Sequence, residues 1–211
     1  MDLDIQRIAK AVRGIVVNDV KTLITPLKDQ ISTLQKENLE LRREIDELEM
    51  YSRRNCVRVA GVSEDRTDTD DVILDIASKL DIPIKREEIT VSHRVGPKNN
   101  DRPRQIIARI TNYELRHRLL KSSKQLRKIA GMENIAVNQD LTKTRNKLAY
   151  EARKLVKAGR AKSSFVWDGK IFVIDHGDKK HKILCPADMV KVLTHLGVQL
   201  ETFGYSTDMD I

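Results

Sequence analysis

The residues of this chain with the clearest chemistry are cations that lack acids beside them. Between Ser92 and Lys128 stand eleven Lys and Arg, namely Arg94, Lys98, Arg102, Arg104, Arg109, Arg116, Arg118, Lys121, Lys124, Arg127 and Lys128, against only Asp101 and Glu114. Between Leu141 and Lys162 there are eight, Lys143, Arg145, Lys147, Arg153, Lys154, Lys157, Arg160 and Lys162, against Glu151 alone. A solvated helix face usually balances its charges with acids three or four residues from each base. Their shortage here favours contact with phosphates. Arg outnumbers Lys from 94 to 104, and the forked guanidinium suits a bidentate grip on phosphate oxygens. Trp167, the one tryptophan, sits beside Asp168-Gly169 at a hairpin tip, where it either stacks on an unpaired base or covers the edge of its own core.

Other chemistries find less support. The chain has no Gly-rich phosphate loop, no H-E-x-x-H and no G-x-S-x-G, so no enzyme is expected and no cofactor is implied. His176, His181 and Cys185 lie close in sequence, but a structural zinc needs a fourth ligand and usually more thiolates, so no metal is expected and solvated loop histidines are the plainer account. The pairs Asp70/Asp71 and Glu87/Glu88 fall at a helix start and in a loop, where capping and solvation explain them. Two widely spaced cysteines, Cys56 and Cys185, argue for free thiols in a reducing compartment.

Thirty-nine basic against thirty-one acidic residues give a net charge of +8, unevenly spread. Residues 1–50 are slightly acidic, with 8 Lys/Arg to 10 Asp/Glu, whereas residues 51–140 carry 18 to 13 and residues 141–211 carry 13 to 8. Basic domains on a rod suit a polyanion, most often nucleic acid. No apolar run approaches the ~18 residues that span a bilayer, and the acidic start MDLD lacks the basic region of a signal peptide. The expectation is a soluble, non-secreted protein without a membrane partner.

The elements that must position the cations begin with a heptad repeat. With Ile31 at a, the a positions are Ile31, Asn38 and Ile45 and the d positions are Leu27, Leu34, Leu41 and Leu48. Almost every other position is polar, so this narrow stripe needs a partner helix, most simply another copy of the chain. Ile at a, Leu at d and one Asn at a favour a parallel dimer. Upstream, Ile5, Ile8, Val12 and Ile15 keep one phase before Val17, Val20 and Ile24 join the main one, and Pro26 with Thr25 as N-cap predicts two helices, 3–24 and 26–54.

Residues 55–139 then alternate in type. A strand at Cys56–Val62, a helix at Asp70–Leu80, strands at Ile89–Val95 and Gln105–Thr111, a helix at Tyr113–Arg127 and a strand at Ile135–Val137 give βαββαβ, an antiparallel sheet with two helices on one face. Residues 140–198 open with Asp140-Leu-Thr-Lys as a capping signature for a helix to Ala158, followed by the hairpin Ser164–Ile174, a strand at 181–185 and a helix at Pro186–Leu196. Residues 199–211 read as a polar tail that frays over 206–211. The fold class is α+β: an N-terminal helical segment, 1–54, with a coiled coil, then an RRM-like domain and a small α/β C-terminal domain.

In this order the parts resemble a known family. The coil ending in Leu48-Glu-Met-Tyr-Ser-Arg-Arg-Asn-Cys-Val-Arg-Val, then His93-Arg-Val with Arg102-Pro-Arg-Gln-Ile-Ile-Ala-Arg109, then the stretch from Asn138 to Leu155, is similar to the first-open-reading-frame protein of LINE-type retrotransposons. The last unit, through Trp167-Asp-Gly-Lys-Ile-Phe-Val, also resembles the C-terminal domain of baculovirus FP proteins. The resemblance implies a coiled-coil oligomer, trimeric in the family, that binds single-stranded RNA and DNA. It also implies nucleic-acid chaperone activity within a retrotransposon ribonucleoprotein, cytoplasmic or nuclear. The family's gripping positions fall on Arg94, Arg102, Arg104, Arg116 or Arg118, Arg145 and Arg153. Two departures stand out. The strands VRVAGV and IIARIT lack the aromatics on which RRMs stack bases, and Arg42-Arg43-Glu44-Ile45 is not the family's trimer motif.

The sequence therefore leads to a non-enzymatic, sequence-tolerant single-strand binder using Arg94, Lys98, Arg102, Arg104, Arg109, Arg116, Arg118, Lys121, Arg145, Lys147, Arg153, Lys154 and Trp167. Its self-association runs through Leu27, Ile31, Leu34, Asn38, Leu41, Ile45 and Leu48. The rival readings are a coiled-coil interaction scaffold, including an FP-like structural protein, and a nuclease, against which stands the absence of an acidic cluster with metal-binding spacing.

Overall fold

The computed structural model of the chain describes residues 2–98 and 102–205; the fraying expected for 206–211 lies outside them. The chain divides into two compact units, one ending at Ile45 and one beginning at Asp46.

The first unit is helical. Helix α1 (Asp2–Ser52) runs without interruption through Pro26, which corrects the expected break. The proline forfeits one amide donor, but its fixed φ is itself helical, and good helix formers on both sides propagate the helix. Thr25 does not cap a new helix. Its hydroxyl donates to the Lys21 carbonyl at 2.9 Å, as Thr22 does to Asn18 at 2.9 Å. Leu27, Ile31, Leu34, Leu41, Ile45 and Leu48 are each more than half exposed, so the stripe is uncovered in a single chain.

The second unit holds two layers of sheet, each with its own core. The first sheet contains β1 (Cys56–Ala60), β2 (Ile89–Val95), β3 (Gln105–Ile110) and β4 (Ala136–Gln139) in the order β2-β3-β1-β4, with every neighbouring pair antiparallel. The crossovers through α2 (Thr69–Lys79) and α3 (Tyr113–Ser122) therefore each skip one strand. Period-two alternation sends Val57, Val59, Ile106, Ala108, Ile110 and Val137 into one core with Val72, Ile73 and Ile76 of α2 and Leu115 and Leu119 of α3. Full burial of each such Val, Leu or Ile side chain contributes about 1.5–3 kcal/mol. Asp68 caps α2 by accepting from the Asp71 amide, and Asn112 caps α3. The expected helix to Arg127 is α-helical only to Ser122 and continues as a 3-10 helix over Ser123–Lys128.

The second layer comprises α4 (Lys143–Lys157), the antiparallel strands β5 (Ser163–Trp167), β6 (Lys170–Ile174) and β7 (Lys180–Ile183), and α5 (Pro186–His195). Asp168 and Gly169 both take positive φ, 46° and 72°, as the tight two-residue turn requires. Leu148, Ala152 and Leu155 of α4 pack with Ile171, Val173, Ile183, Met189 and Leu193. Tyr205 joins the same core, and its hydroxyl donates to Glu151 at 2.5 Å.

Met50 from α1 is also part of this second core. A Cβ at Gly169 would stand 2.7 Å from the Met50 Cγ, so both the turn and this contact demand glycine. The N-cap of α4 is Thr142, within the expected capping stretch: its hydroxyl accepts from the Arg145 amide at 3.1 Å. Asp140 is completely buried and clamped by Arg53 at 2.7 Å and Arg58 at 2.6 Å. A buried carboxylate needs such partners, and two guanidinia meet that need.

Candidate nucleic-acid interface

The basic clusters divide into cations the fold uses internally and cations left on the surface. Arg94 belongs to the first group. Its side chain is nearly buried, and its guanidinium donates to the carbonyls of Val62 at 3.1 Å, Arg104 at 2.9 Å, Arg66 at 3.1 Å and Ser63. It thus ties the loop after β1 to the start of β3. Arg104 completes this junction by pairing with Glu64, its Nη2 2.9 Å and its amide 2.6 Å from the carboxylate. The Arg104 contacts hold the Glu64 carboxyl down at about 2.

Arg145 is buried as well. Its Nε lies 2.7 Å from Asp46 and its Nη1 donates to the Gly169 carbonyl at 3.1 Å, while Thr142 also donates to Asp46. The sequence assigned this residue to the nucleic-acid face; the structure places it as a strut between the end of α1 and the β5–β6 turn.

Arg116 differs from both. It is 1% exposed, its Nε has no hydrogen-bond partner, and it has no acid within ion-pair distance among the described residues. Burial pushes its guanidinium below the ordinary arginine value, against weaker attraction from Tyr113 and Asp168. It lies under a short aromatic ridge. Tyr113 and His117 stack along α3 with ring centroids 6.1 Å apart, His117 meets the Trp167 edge at 4.8 Å, and the Arg116 guanidinium is 5.9 Å from the Tyr113 ring. Trp167 is 52% and Tyr113 44% exposed, so two π-faces remain open to a ligand. Trp167 thus neither stands free at its tip nor only caps its own core; it leans on the helix of the neighbouring layer.

The remaining candidates are on the surface. Lys98, Arg102, Arg109, Lys121 and Arg153 are exposed, and none has an acidic partner among the described residues. Arg118 reaches the Asp81 carbonyl at 3.5 Å, and Lys147 is 3.9 Å from Glu151. Lys154 lies 4.8 Å over the Phe203 ring and donates to the Thr202 carbonyl at 3.4 Å. On the helix-free face of the first sheet, Arg109 stands across from Cys56, while Arg58 is spent on Asp140 and Gln105. Burial raises the Cys56 thiol above its usual value.

The sequence missed Tyr113, His117, Asp46 and Glu64. The signal for the first two was their spacing on α3, where Arg116 and His117 follow Tyr113 by three and four residues. The last two carried no local signal. His176, His181 and Cys185 do not converge: the His176 Nε2 meets the Gly159 carbonyl at 3.0 Å, and Cys185 sits at the N-cap of α5.

Chemically, this surface offers unpaired ammonium and guanidinium groups to phosphate oxygens and open aromatic faces to planar rings. No protein-family model matches the chain, and no curated protein matches it either.

Proposed function

We propose that this chain is a non-enzymatic, sequence-tolerant binder of single-stranded RNA and DNA, working as an oligomer. The observation that carries the reading is the combination on one unit of half-exposed Trp167 and Tyr113, the buried Arg116 beside the Tyr113 ring with an Nε that has no hydrogen-bond partner, and exposed cations without acids on both layers. Aromatic faces stack on any base and cations follow any backbone, so such a surface grips strands without reading sequence. The order β2-β3-β1-β4 supports an RRM-like reading of the first layer. With no Phe, Tyr or Trp on its strands, the sheet does not serve as the stacking platform.

The uncovered stripe from Leu27 to Leu48 supports a coiled-coil homo-oligomer. Joining several weak heads makes later contacts intramolecular and raises avidity by roughly a hundredfold or more. A nucleic-acid chaperone in a retrotransposon ribonucleoprotein fits these properties, since it must hold strands without fixing their pairing.

The test uses the single tryptophan. Titrating the full chain with a single-stranded oligonucleotide should quench Trp167 fluorescence, and affinity should fall steeply with salt. If five phosphates are neutralised, log K against log salt has a slope of about −3.5 for a single strand. No quench and no gel shift at low salt would instead favour a scaffold, in which the stripe recruits a different helix.

A further inference from the structure

Away from the basic surface, Asp175, His181 and His195 bring three ligand atoms together from the end of β6, from β7 and from the last turn of α5. The Nε2 atoms of His181 and His195 stand 2.8 and 3.2 Å from the same oxygen, Oδ2 of Asp175. The other carboxylate oxygen is held by the amides of Gly177 and Lys179, both at 2.9 Å. All three ligand atoms lie within 4.8 Å of one another, and the two imidazole rings are tilted by 48°.

We propose that Asp175, His181 and His195 form a binding site for a divalent transition-metal ion of the zinc class, with an open fourth position. Zinc–ligand bonds of about 2.0–2.1 Å place neighbouring ligands of a tetrahedron roughly 3.3–3.4 Å apart. The 3.2 Å edge from His195 is close to that length, the 2.8 Å edge from His181 must open by about half an ångström, and His195, half exposed, has room to turn toward His181. Two imidazole nitrogens and one carboxylate oxygen suit zinc, cobalt or nickel better than calcium or magnesium. The carboxylate is oriented by backbone donors, the kind of outer support that metal ligands ordinarily have.

The nearby lysines set a positive field that a bound cation must overcome through its three ligands. The Lys180 ammonium lies 4.2 Å over the Phe172 ring, and alternation along β7 puts Lys182 on the same side as Lys180, while His181 and Ile183 turn the other way. Asp188 is occupied in accepting from the Leu184 and Cys185 amides. Lys179, Lys180, Lys182 and Lys191 all line the shallow pocket of about 370 Å³ onto which His181 and His195 open.

Histidine and carboxylate ligands bind metal in their deprotonated forms, so affinity should fall with falling pH. The experiment titrates the full chain, stripped of metal, with cobalt(II) and follows the visible absorption of a tetrahedral complex, without nucleic acid. We expect one ion per chain, displaced by zinc, with at least tenfold weaker binding in His195→Gln and unchanged binding in His176→Ala. Circular dichroism establishes that each variant is folded. No tetrahedral spectrum, equal affinity in His195→Gln, or loss in His176→Ala would each overturn the assignment.

Discussion

If Arg145 is a strut and not a phosphate contact, replacing it or Asp46 will change folding far more than binding. In Asp46→Ala the guanidinium stays buried, its side chain 5% exposed, with only the Gly169 carbonyl to receive it. Breaking a buried pair by removing one partner costs about 3–5 kcal/mol. Arg145→Ala is milder, because the Asp46 carboxylate is 13% exposed and keeps its Thr142 hydroxyl; losing hydrogen bonds to a charged group costs about 1.5–3 kcal/mol. The double variant strands neither charge, so its loss should fall short of the summed singles by roughly 2 kcal/mol. Urea unfolding at fixed pH reads all three values. Under conditions where each variant is folded, Arg145→Ala should leave the salt slope of oligonucleotide binding unchanged, whereas Arg153→Ala should flatten it by about 0.7. Additive stabilities, or a flattened slope in Arg145→Ala with less than about 1 kcal/mol of destabilisation, would refute the strut.

Other consequences can be checked independently. Trp167→Ala should keep the fold and weaken oligonucleotide binding by about 1–3 kcal/mol in a gel shift, the worth of one stacked base. Glu64 has its carboxyl lowered from 4.5 to about 2, so its pairing with Arg104 stabilises the fold above the unfolded value and is lost as pH falls from 4.5 toward 2. Glu64→Gln should flatten the acid limb of a stability-against-pH curve across that window. Gly169→Ala should destabilise the second unit by more than about 1 kcal/mol, through positive φ and the Met50 contact, with partial relief in a Met50→Ala background despite the cavity. Leu34→Asp with Leu41→Asp should turn the proposed oligomer into a monomer by sedimentation and lower its avidity by tenfold or more.

Much of the backbone was legible because its signals are local. β2 occupies Ile89–Val95 as its alternation predicted, and Asp168-Gly169 forms the turn that its residues demand. Pro26 was misjudged because a rule for helix starts was applied where propagation from both sides prevails. The burial of Asp140 was not legible because its partners Arg53 and Arg58 are 87 and 82 positions away in the chain. The candidate surface was half legible. A run of Arg and Lys announces a cationic region, but Arg94, Arg116 and Arg145 fall on inward-facing positions that charge counting cannot tell from Arg102 or Arg153.

The placement of Asp46 and Met50 sets an order on synthesis. Asp46 waits for an arginine 99 positions later, and Met50 for a turn beyond that, so the leucine-rich helix leaves the ribosome long before the layer that its far end completes. Under the proposed self-association, neighbouring nascent chains would meet through this helix while their heads are still unfinished, which would favour assembly among copies made on one message. A fragment begun at residue 55 would lack the carboxylate and the thioether that the closing layer requires, so the shortest self-sufficient head starts inside the helix, before Asp46.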